Sequence, residues 1–266
     1  GLNRAVFERW AGEYLKGLPQ LVRGCIQESG ISPSEVELVV LTGGHSQWYF
    51  VKEILTGRLP AVCGSLLPDS TPASGKGGRH IMKVMLVNGS SHTHGTTMKA
   101  LEEMIRIFKE EGIETDVIQL GSKPLADCLQ CNACSKTGKC VFTDDGVNEF
   151  AEKAAGADGF VFATPVYYAH PSGRILSFLD RAFYSASKDT FQFKPGAAVA
   201  VARRGGISAS FDALNKYFGI SQMPVAGSTY WNMVHGMTAA DAPHDEEGMQ
   251  TMRNLARNMI WMMRCF

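Results

Sequence analysis

The chain has no net charge: 26 Lys and Arg residues balance 26 Asp and Glu residues in 266. That balance argues against the basic footprint of a nucleic-acid binder and against attraction to an anionic membrane surface. No apolar run reaches the roughly 18–20 residues that a membrane-spanning helix needs. The opening stretch GLNRAVFERW mixes polar and apolar residues and lacks the apolar core of a secretory signal. No internal repeat is present. A secreted disulfide framework is also missing, because the cysteines number seven and four of them, Cys128, Cys131, Cys134 and Cys140, crowd into thirteen residues. An odd count with so tight a cluster predicts a reduced, cytoplasmic protein with a metal or redox site. What is abundant is ordinary: 45% hydrophobic and 20% charged residues, enough to bury a sizeable core.

The chain divides at a linker. Residues 68–80 contain PDSTPASGKGGR, rich in Pro, Ser and Gly and nearly free of large apolar side chains, a composition that cannot offset its own ordering entropy. Upstream lies a piece over 1–67; downstream, a domain over 81–266. In that domain strand and helix signals alternate. Strands are expected at 83–88, 115–120, 159–164, 197–202 and 225–230, and helices at 95–111, 147–155, 172–184, 208–218 and 245–263. The first helix carries Met98, Leu101, Met104, Ile105 and Phe108 on one face and stops at Gly112. Near-continuous apolar strands such as GFVFAT suit a sheet covered on both sides. Five strand–helix units predict an α/β fold: a doubly wound, five-stranded parallel sheet, whose ligands bind beyond the carboxyl ends of the strands. The strand-to-helix loops therefore decide the function.

The first loop, Gly89–Thr97, reads GSSHTHGTT. Gly, Ser and Thr at a helix start present free backbone N–H groups, hydroxyls and the positive end of the helix dipole, which together hold a phosphate. Ser90, Gly95, Thr96 and Thr97 are the candidates, with His92 as an imidazole donor. The loop is neither GxGxxG nor GxxxxGK[ST], which argues against a dinucleotide or a Walker-type triphosphate. The alternative is that Ser and Thr only cap the helix.

The second loop carries Cys128-x2-Cys131-x2-Cys134-x5-Cys140. Four soft thiolates this close suit an iron–sulfur cluster or zinc; free or partly oxidised thiols are the remaining alternative.

The stretch VNGSSHTHGTT resembles the N-G-S-P-R-x-x-G-N-T strand and loop of the flavodoxin-like NAD(P)H-dependent FMN reductases. Asn88, Gly89, Ser90, Gly95 and Thr97 match, whereas Ser91, His92 and Thr96 stand where that family has Pro, Arg and Asn. The cysteine spacing resembles that of iron–sulfur flavoproteins, a branch of the family with a four-iron four-sulfur cluster near the flavin. Asp144 and Asp145 resemble the family's paired aspartates and are expected to cap the next helix. Thr164–Tyr168, TPVYY, is similar to the S/T-P-V-Y segment that wraps the flavin ring. The resemblance assigns Pro165 to the turn and Val166, Tyr167 and Tyr168 to backbone donors and an aromatic wall. SFLDR at 177–181 also matches, with Asp180 and Arg181 expected to form a structural pair. After the fourth strand, ARRGG offers Gly205 and Gly206 for close backbone approach, and Arg203 and Arg204 for the flavin edge or the 2′-phosphate of NADPH, if they are not a solvated turn. The likeness extends over about residues 82–266.

The first 67 residues instead resemble a late fragment of the actin-like ATPase domain of the seventy-kilodalton heat-shock chaperones, through VVLTGG with Gly43, Gly44, His45 and Ser46. The fragment lacks that domain's triphosphate loop and metal-binding acids, so a small α/β appendage without ATPase function is expected.

The resemblance implies bound FMN, NAD(P)H as electron donor and a small-molecule acceptor. An iron–sulfur electron carrier and a non-catalytic binding module are the alternatives. Tyr217, Phe218, Met223, Tyr230, Trp231 and Met233 are expected to form the interface of a homodimer or homotetramer that completes the flavin pocket; the alternative is that they pack beneath the long C-terminal helix, which carries Met252, Leu255, Met259 and Met262 at helical spacing.

Overall fold

The computed structural model describes residues 81–265; the expectations for the chaperone-like fragment and the linker lie outside them. In chain order the elements are β1 (Lys83–Asn88), α1 (Thr96–Glu110), β2 (Glu114–Gln119), the short α2 (Cys134–Thr137), α3 (Val147–Ala154), β3 (Gly159–Tyr167), β4 (His170–Pro171), α4 (Gly173–Ser185), β5 (Gly196–Ala202), α5 (Ile207–Ile220), β6 (Met233–His235) and α6 (Glu246–Cys265).

The apolar strand runs conceal a two-residue alternation, because both faces of the sheet are covered. On one face Val84, Leu86, Val161 and Val199 meet Leu101, Met104 and Phe108 of α1 and Met252, Leu255 and Met259 of α6. On the other face Met85, Val87, Phe160 and Phe162 meet Phe150 of α3, Phe178 and Leu179 of α4, and Leu214 and Phe218 of α5. Phe162 stacks on Phe218 with centroids 5.4 Å apart. That ring lies so close to the backbone of β5 that a Cβ at Gly196 would sit 2.5 Å from it, so only glycine fits there.

Five strands pair in parallel in the order β2-β1-β3-β5-β6. The two-residue β4 pairs antiparallel with the end of β3 and makes a sixth strand that the sequence does not suggest. The strand order reverses between β1 and β3, the switch point beyond whose carboxyl ends sheets of this kind bind ligands. The architecture is the flavodoxin-like one expected.

Three sequence expectations are corrected. The fifth parallel strand lies at 233–235, not 225–230. Val225 makes a single bridge to Gly196, the chain then leaves the edge, and pairing resumes with Met233 opposite Ala200. An edge strand has a neighbour on one side only, so a detour there orphans no other strand. Pro165 is not in the turn. It sits within β3, in register with Val201 of β5, beyond Asn88, the last residue of β1 paired with β3; its missing N–H therefore deprives no neighbour. Finally, Phe218 and Met223 of the expected interface are buried in this domain's own core, whereas Tyr230 and Trp231 are about half exposed.

The covering helices α1 and α6 are clamped by Glu103, which accepts from Arg106 at 2.9 Å and from Arg253 of α6 at 2.7 Å. The hydrogen bond from Arg106 lowers the Glu103 carboxyl below its usual 4.5, burial opposes the shift, and Arg253 adds to it. A depressed carboxyl contributes stability above its unfolded pKa and loses it as pH falls through the folded one. Glu103→Gln is expected to cost up to about 1 kcal/mol at neutral pH, because both pairs are partly solvated. The cost should shrink towards zero below pH 4, read from urea unfolding at the two pH values.

Candidate functional site

The loops after β1, β3, β5 and β6 meet at the carboxyl edge of the sheet. The first is shaped by its own backbone. Asn88 accepts from the Ser90 amide at 3.0 Å through Oδ1, and its Nδ2 donates to Gln119 Oε1 at 2.7 Å. Gln119 in turn donates to the Ser90 carbonyl at 2.7 Å, so the end of β2 holds the loop as well. Ser90 Oγ accepts from the His92 amide at 3.1 Å. Gly89 packs so tightly that a Cβ would stand 2.9 Å from both the Ala163 carbonyl and Ile175; its amide donates to that carbonyl at 2.8 Å and its carbonyl accepts from Ser172 Oγ at 2.9 Å.

The start of α1 distinguishes a cap from a cradle. Its N-cap residue is Gly95, no side chain caps it, and its first turn contains no acidic residue. The leading amides of a helix have no partner within the helix, and here none of the Ser and Thr hydroxyls takes them up. Ser90 and Thr97 are buried, Gly95 and Thr96 half-buried, and His92 exposed at the rim. The structure thus brings Ser90, Gly95, Thr96 and Thr97 together, with His92 outside them.

The β3–β4 hairpin turns on two residues, Tyr168 and Ala169, with φ of 50° and 63°. Positive φ at both positions is the requirement of a type I′ turn, normally met by Asn-Gly. A Tyr-Ala pair is strained there, and strain of this kind gathers at ligand sites. Tyr168 is fully exposed and Tyr167 half so, so neither is a core aromatic. The loop after β5 leans on this turn: Gly206, at φ 89°, lies where a Cβ would come within 2.5 Å of Ala169 and 3.1 Å of Val166. Arg203, Arg204 and Gly205 are exposed. Neither arginine has an ion-pair partner among the described residues. Gly236, after β6, closes on Thr96; a Cβ there would stand 3.0 Å from Thr96 Cγ2, a tight contact.

The cysteine loop is docked by α4. One face of this helix, with Ile175, Phe178, Leu179 and Ala182, enters the core. The opposite stripe is polar at three- and four-residue spacing, the repeat that puts side chains on one helix face. Arg174 donates to the Ser122 carbonyl at 3.2 Å and Ser177 to Asp127. Tyr184 donates to Asn132 at 2.7 Å. Between them Arg181, with no side-chain exposure, pairs with Asp145. It also donates through Nε to Cys140 Sγ at 3.3 Å and through Nη1 to the Ala126 carbonyl at 3.3 Å, and lies 4.7 Å over the Phe142 ring. Burial works against the Arg181 charge, but the hydrogen bonds to Asp145 and Cys140 outweigh it and the net shift is upward.

One expectation is therefore corrected: Arg181 pairs with Asp145 rather than Asp180, which instead accepts from Tyr217. The N-cap residue of α3 is Gly146, and Asp145 Oδ1 accepts from the Val147 amide at 3.4 Å, so that aspartate reaches the helix start as well as Arg181. The docking stripe was not recognised in the sequence, although its spacing was visible.

Cys128, Cys131, Cys134 and Cys140 all line one cleft, walled by Leu129, Val141, Phe142 and Arg181. All four are free thiols. The donor set, four soft ligands in one cleft, fits an iron–sulfur cluster or zinc. Among the described residues the side chains are not drawn together as a metal centre.

The sequence profile of the NADPH-dependent FMN reductases matches residues 82–238. An iron-sulfur flavoprotein of Methanocaldococcus jannaschii is 34% identical over 185 residues, covering 67% of this chain and 95% of that protein. Another, from Methanosarcina thermophila, is 30% identical over 181 residues, with 67% and 93% covered. Among solved structures, the flavoenzyme NAD(P)H:(acceptor) oxidoreductase of Paracoccus denitrificans aligns with a TM-score of 0.52 at 14% identity, over 70% of this chain and 99% of that one; this likeness shows the fold alone.

Proposed function

Because the chain belongs to the NADPH-dependent FMN reductase family, we propose that it binds FMN at the carboxyl edge of its sheet and is an NAD(P)H-dependent flavin oxidoreductase that passes electrons to a small acceptor. The start of α1, uncapped by any side chain, carries this reading: it offers one compact phosphate site at the switch point, and the residues around it fit the cofactor. Ser90, Gly95, Thr96 and Thr97 hold the phosphate through amides and hydroxyls, with His92 at the rim. Pro165, Val166, Tyr167 and Tyr168 line the ring, and Gly205 and Gly206 let the backbone approach it. FMN, when bound, takes electrons from the nicotinamide and hands them on. The chain's part is to bind, orient and shield, so no side-chain acid or nucleophile is invoked.

Arg203 and Arg204 have no carboxylate to neutralise them among the described residues, and they suit the extra phosphate of NADPH. Replacing both with Ser is expected to raise KM for NADPH about tenfold while changing that for NADH less than about twofold, since a charged hydrogen bond contributes on the order of 1.5–3 kcal/mol. Anaerobic titration of the flavin-loaded protein with each nicotinamide tests the reading itself: bleaching of the flavin supports it, and a flavin that only a chemical reductant bleaches counts against it.

A second reading, an iron–sulfur flavoprotein carrying electrons to a partner, is favoured by the convergence of four cysteines on one cleft and by the names of the two relatives. Cys128, Cys131, Cys134 and Cys140 would hold a four-iron four-sulfur cluster, which supplies one-electron chemistry. The four free thiols of the cleft suit a reducing, cytoplasmic setting. None of the helices among these residues is long and apolar enough to cross a membrane. The exposed pair Tyr230 and Trp231, with ring centroids 5.0 Å apart, suits a symmetric homodimer or homotetramer around the flavin edge.

A further inference from the structure

Ser185 is the last residue of α4 and lines the cysteine cleft beside Arg181 and Tyr184. It is 7% exposed, yet its Oγ has no hydrogen-bond partner among the described residues. A serine near a helix end ordinarily returns its hydroxyl to the carbonyl four residues back; here that carbonyl belongs to Arg181 and the bond is not made. A buried hydroxyl left without a partner is destabilising, and native proteins leave few such groups. The neighbouring donor on the same helix shows what this cleft offers a donor: Arg181 Nε–H points at Cys140 Sγ, 3.3 Å away. Two donors one helical turn apart thus line a cleft that gathers the four thiols with Asp127, Asn132 and Tyr184; Asp127 already accepts from Ser177 and Asn132 from Tyr184. One already meets sulfur, and the other awaits an acceptor.

We infer that Ser185 is a positioning residue for the iron–sulfur centre, its Oγ–H donating to a sulfur of the cluster or of a ligating cysteine; the inference rests on the iron–sulfur reading of the cleft. A hydroxyl on Oγ has one proton to give and needs only an acceptor. Sulfur bound to iron is electron-rich and becomes more so on reduction, so a hydrogen bond to it stabilises the reduced state. Hydrogen bonds to the sulfurs are among the quantities that set cluster potentials. Arg181 makes a similar bond but also carries the fold of the loop, so its removal would confound structure with tuning. Ser185 carries no other bond and isolates the effect.

The test is anaerobic reconstitution of the full chain with ferrous iron and sulfide, followed by iron and sulfide analysis and a potentiometric titration monitored by electron paramagnetic resonance. Wild type, Ser185→Ala and Ser185→Thr are compared. Ser185→Ala is expected to bind a cluster whose reduction equilibrium is about 3- to 10-fold less favourable, the ratio that corresponds to the loss of one ordinary hydrogen bond. Ser185→Thr, which keeps the hydroxyl, should stay within about twofold of wild type on the same scale. A potential unchanged in Ser185→Ala overturns the inference and leaves the iron–sulfur reading intact. A Thr variant as shifted as the Ala variant also overturns it, since packing rather than the hydroxyl would then be the cause. Failure of the wild-type chain to take up any cluster removes the iron–sulfur reading and the inference together.

Discussion

Arg181→Met is expected to destabilise the domain by about 3–5 kcal/mol, the cost of leaving one member of a buried ion pair without its partner. Arg181 has no exposed side-chain surface and Asp145 little, so water cannot replace the lost pair. The effect goes beyond the pair. The same guanidinium bonds the Ala126 and Phe142 carbonyls and Cys140 Sγ, which with Asp145 makes four points along the segment that holds the cysteines. Urea unfolding should show the loss as a lower midpoint at unchanged slope, and alkylation of Cys140 should accelerate at urea concentrations well below that midpoint. A loss under about 1 kcal/mol would place the Arg181–Asp145 pair among ordinary surface contacts and contradict its assignment as the strut of the loop.

Ser90→Glu is expected to abolish retention of the flavin. Ser90 is 4% exposed and lies in the loop that precedes the uncapped start of α1. A carboxylate there stands against a phosphate dianion and reaches for the same amides, a like-charge contact in a partly desolvated place. A penalty of about 3 kcal/mol corresponds to a roughly 100-fold weaker Kd. Ser90→Ala removes the hydroxyl alone and should cost less than about tenfold, near a single hydrogen bond. Fluorescence quenching on adding FMN to the stripped protein measures both. Comparable binding by Ser90→Glu and wild type would place the phosphate elsewhere.

Much of this arrangement was legible in the residues. β1, β3 and β5 announce themselves as short apolar runs, and the amphipathic α1, α4 and α6 lie within two residues of where their spacing places them. The assignment of strand residues to faces was not legible, because Phe160 and Val161 are equally apolar and only their neighbours tell them apart. The displaced fifth strand shows the same limit. Val225 and Met233 are both good strand formers, and what selects between them is the pairing with β5, a non-local contact.

The partner of Arg181 illustrates a different limit. Asp180 is adjacent in the chain, but consecutive residues on a helix point about 100° apart and do not face each other. The true partner is 36 residues away, across a loop whose path no local propensity dictates. Even so, the stripe Arg174, Ser177, Arg181 and Tyr184 had a visible three- and four-residue period on a helix whose other face is apolar. A polar stripe bordering a buried helix face is a signal for a docked loop that can be sought in other sequences.

The start of α1 could be read both ways from its residues, since Ser and Thr are the usual helix caps as well as phosphate donors. In the structure the N-cap is glycine and no side chain caps the helix, which leaves the leading amides open to a ligand. Everything proposed for the site follows from reading that start, at the β1/β3 switch point, as a phosphate cradle. The cofactor carried by the native protein tests it most directly. Heat release from protein purified without added flavin, followed by chromatographic identification and quantitation against chain concentration, is predicted to yield FMN in a ratio approaching one per chain. Recovery mainly of FAD, or of no flavin from a protein that also fails to bind added FMN, would contradict the account.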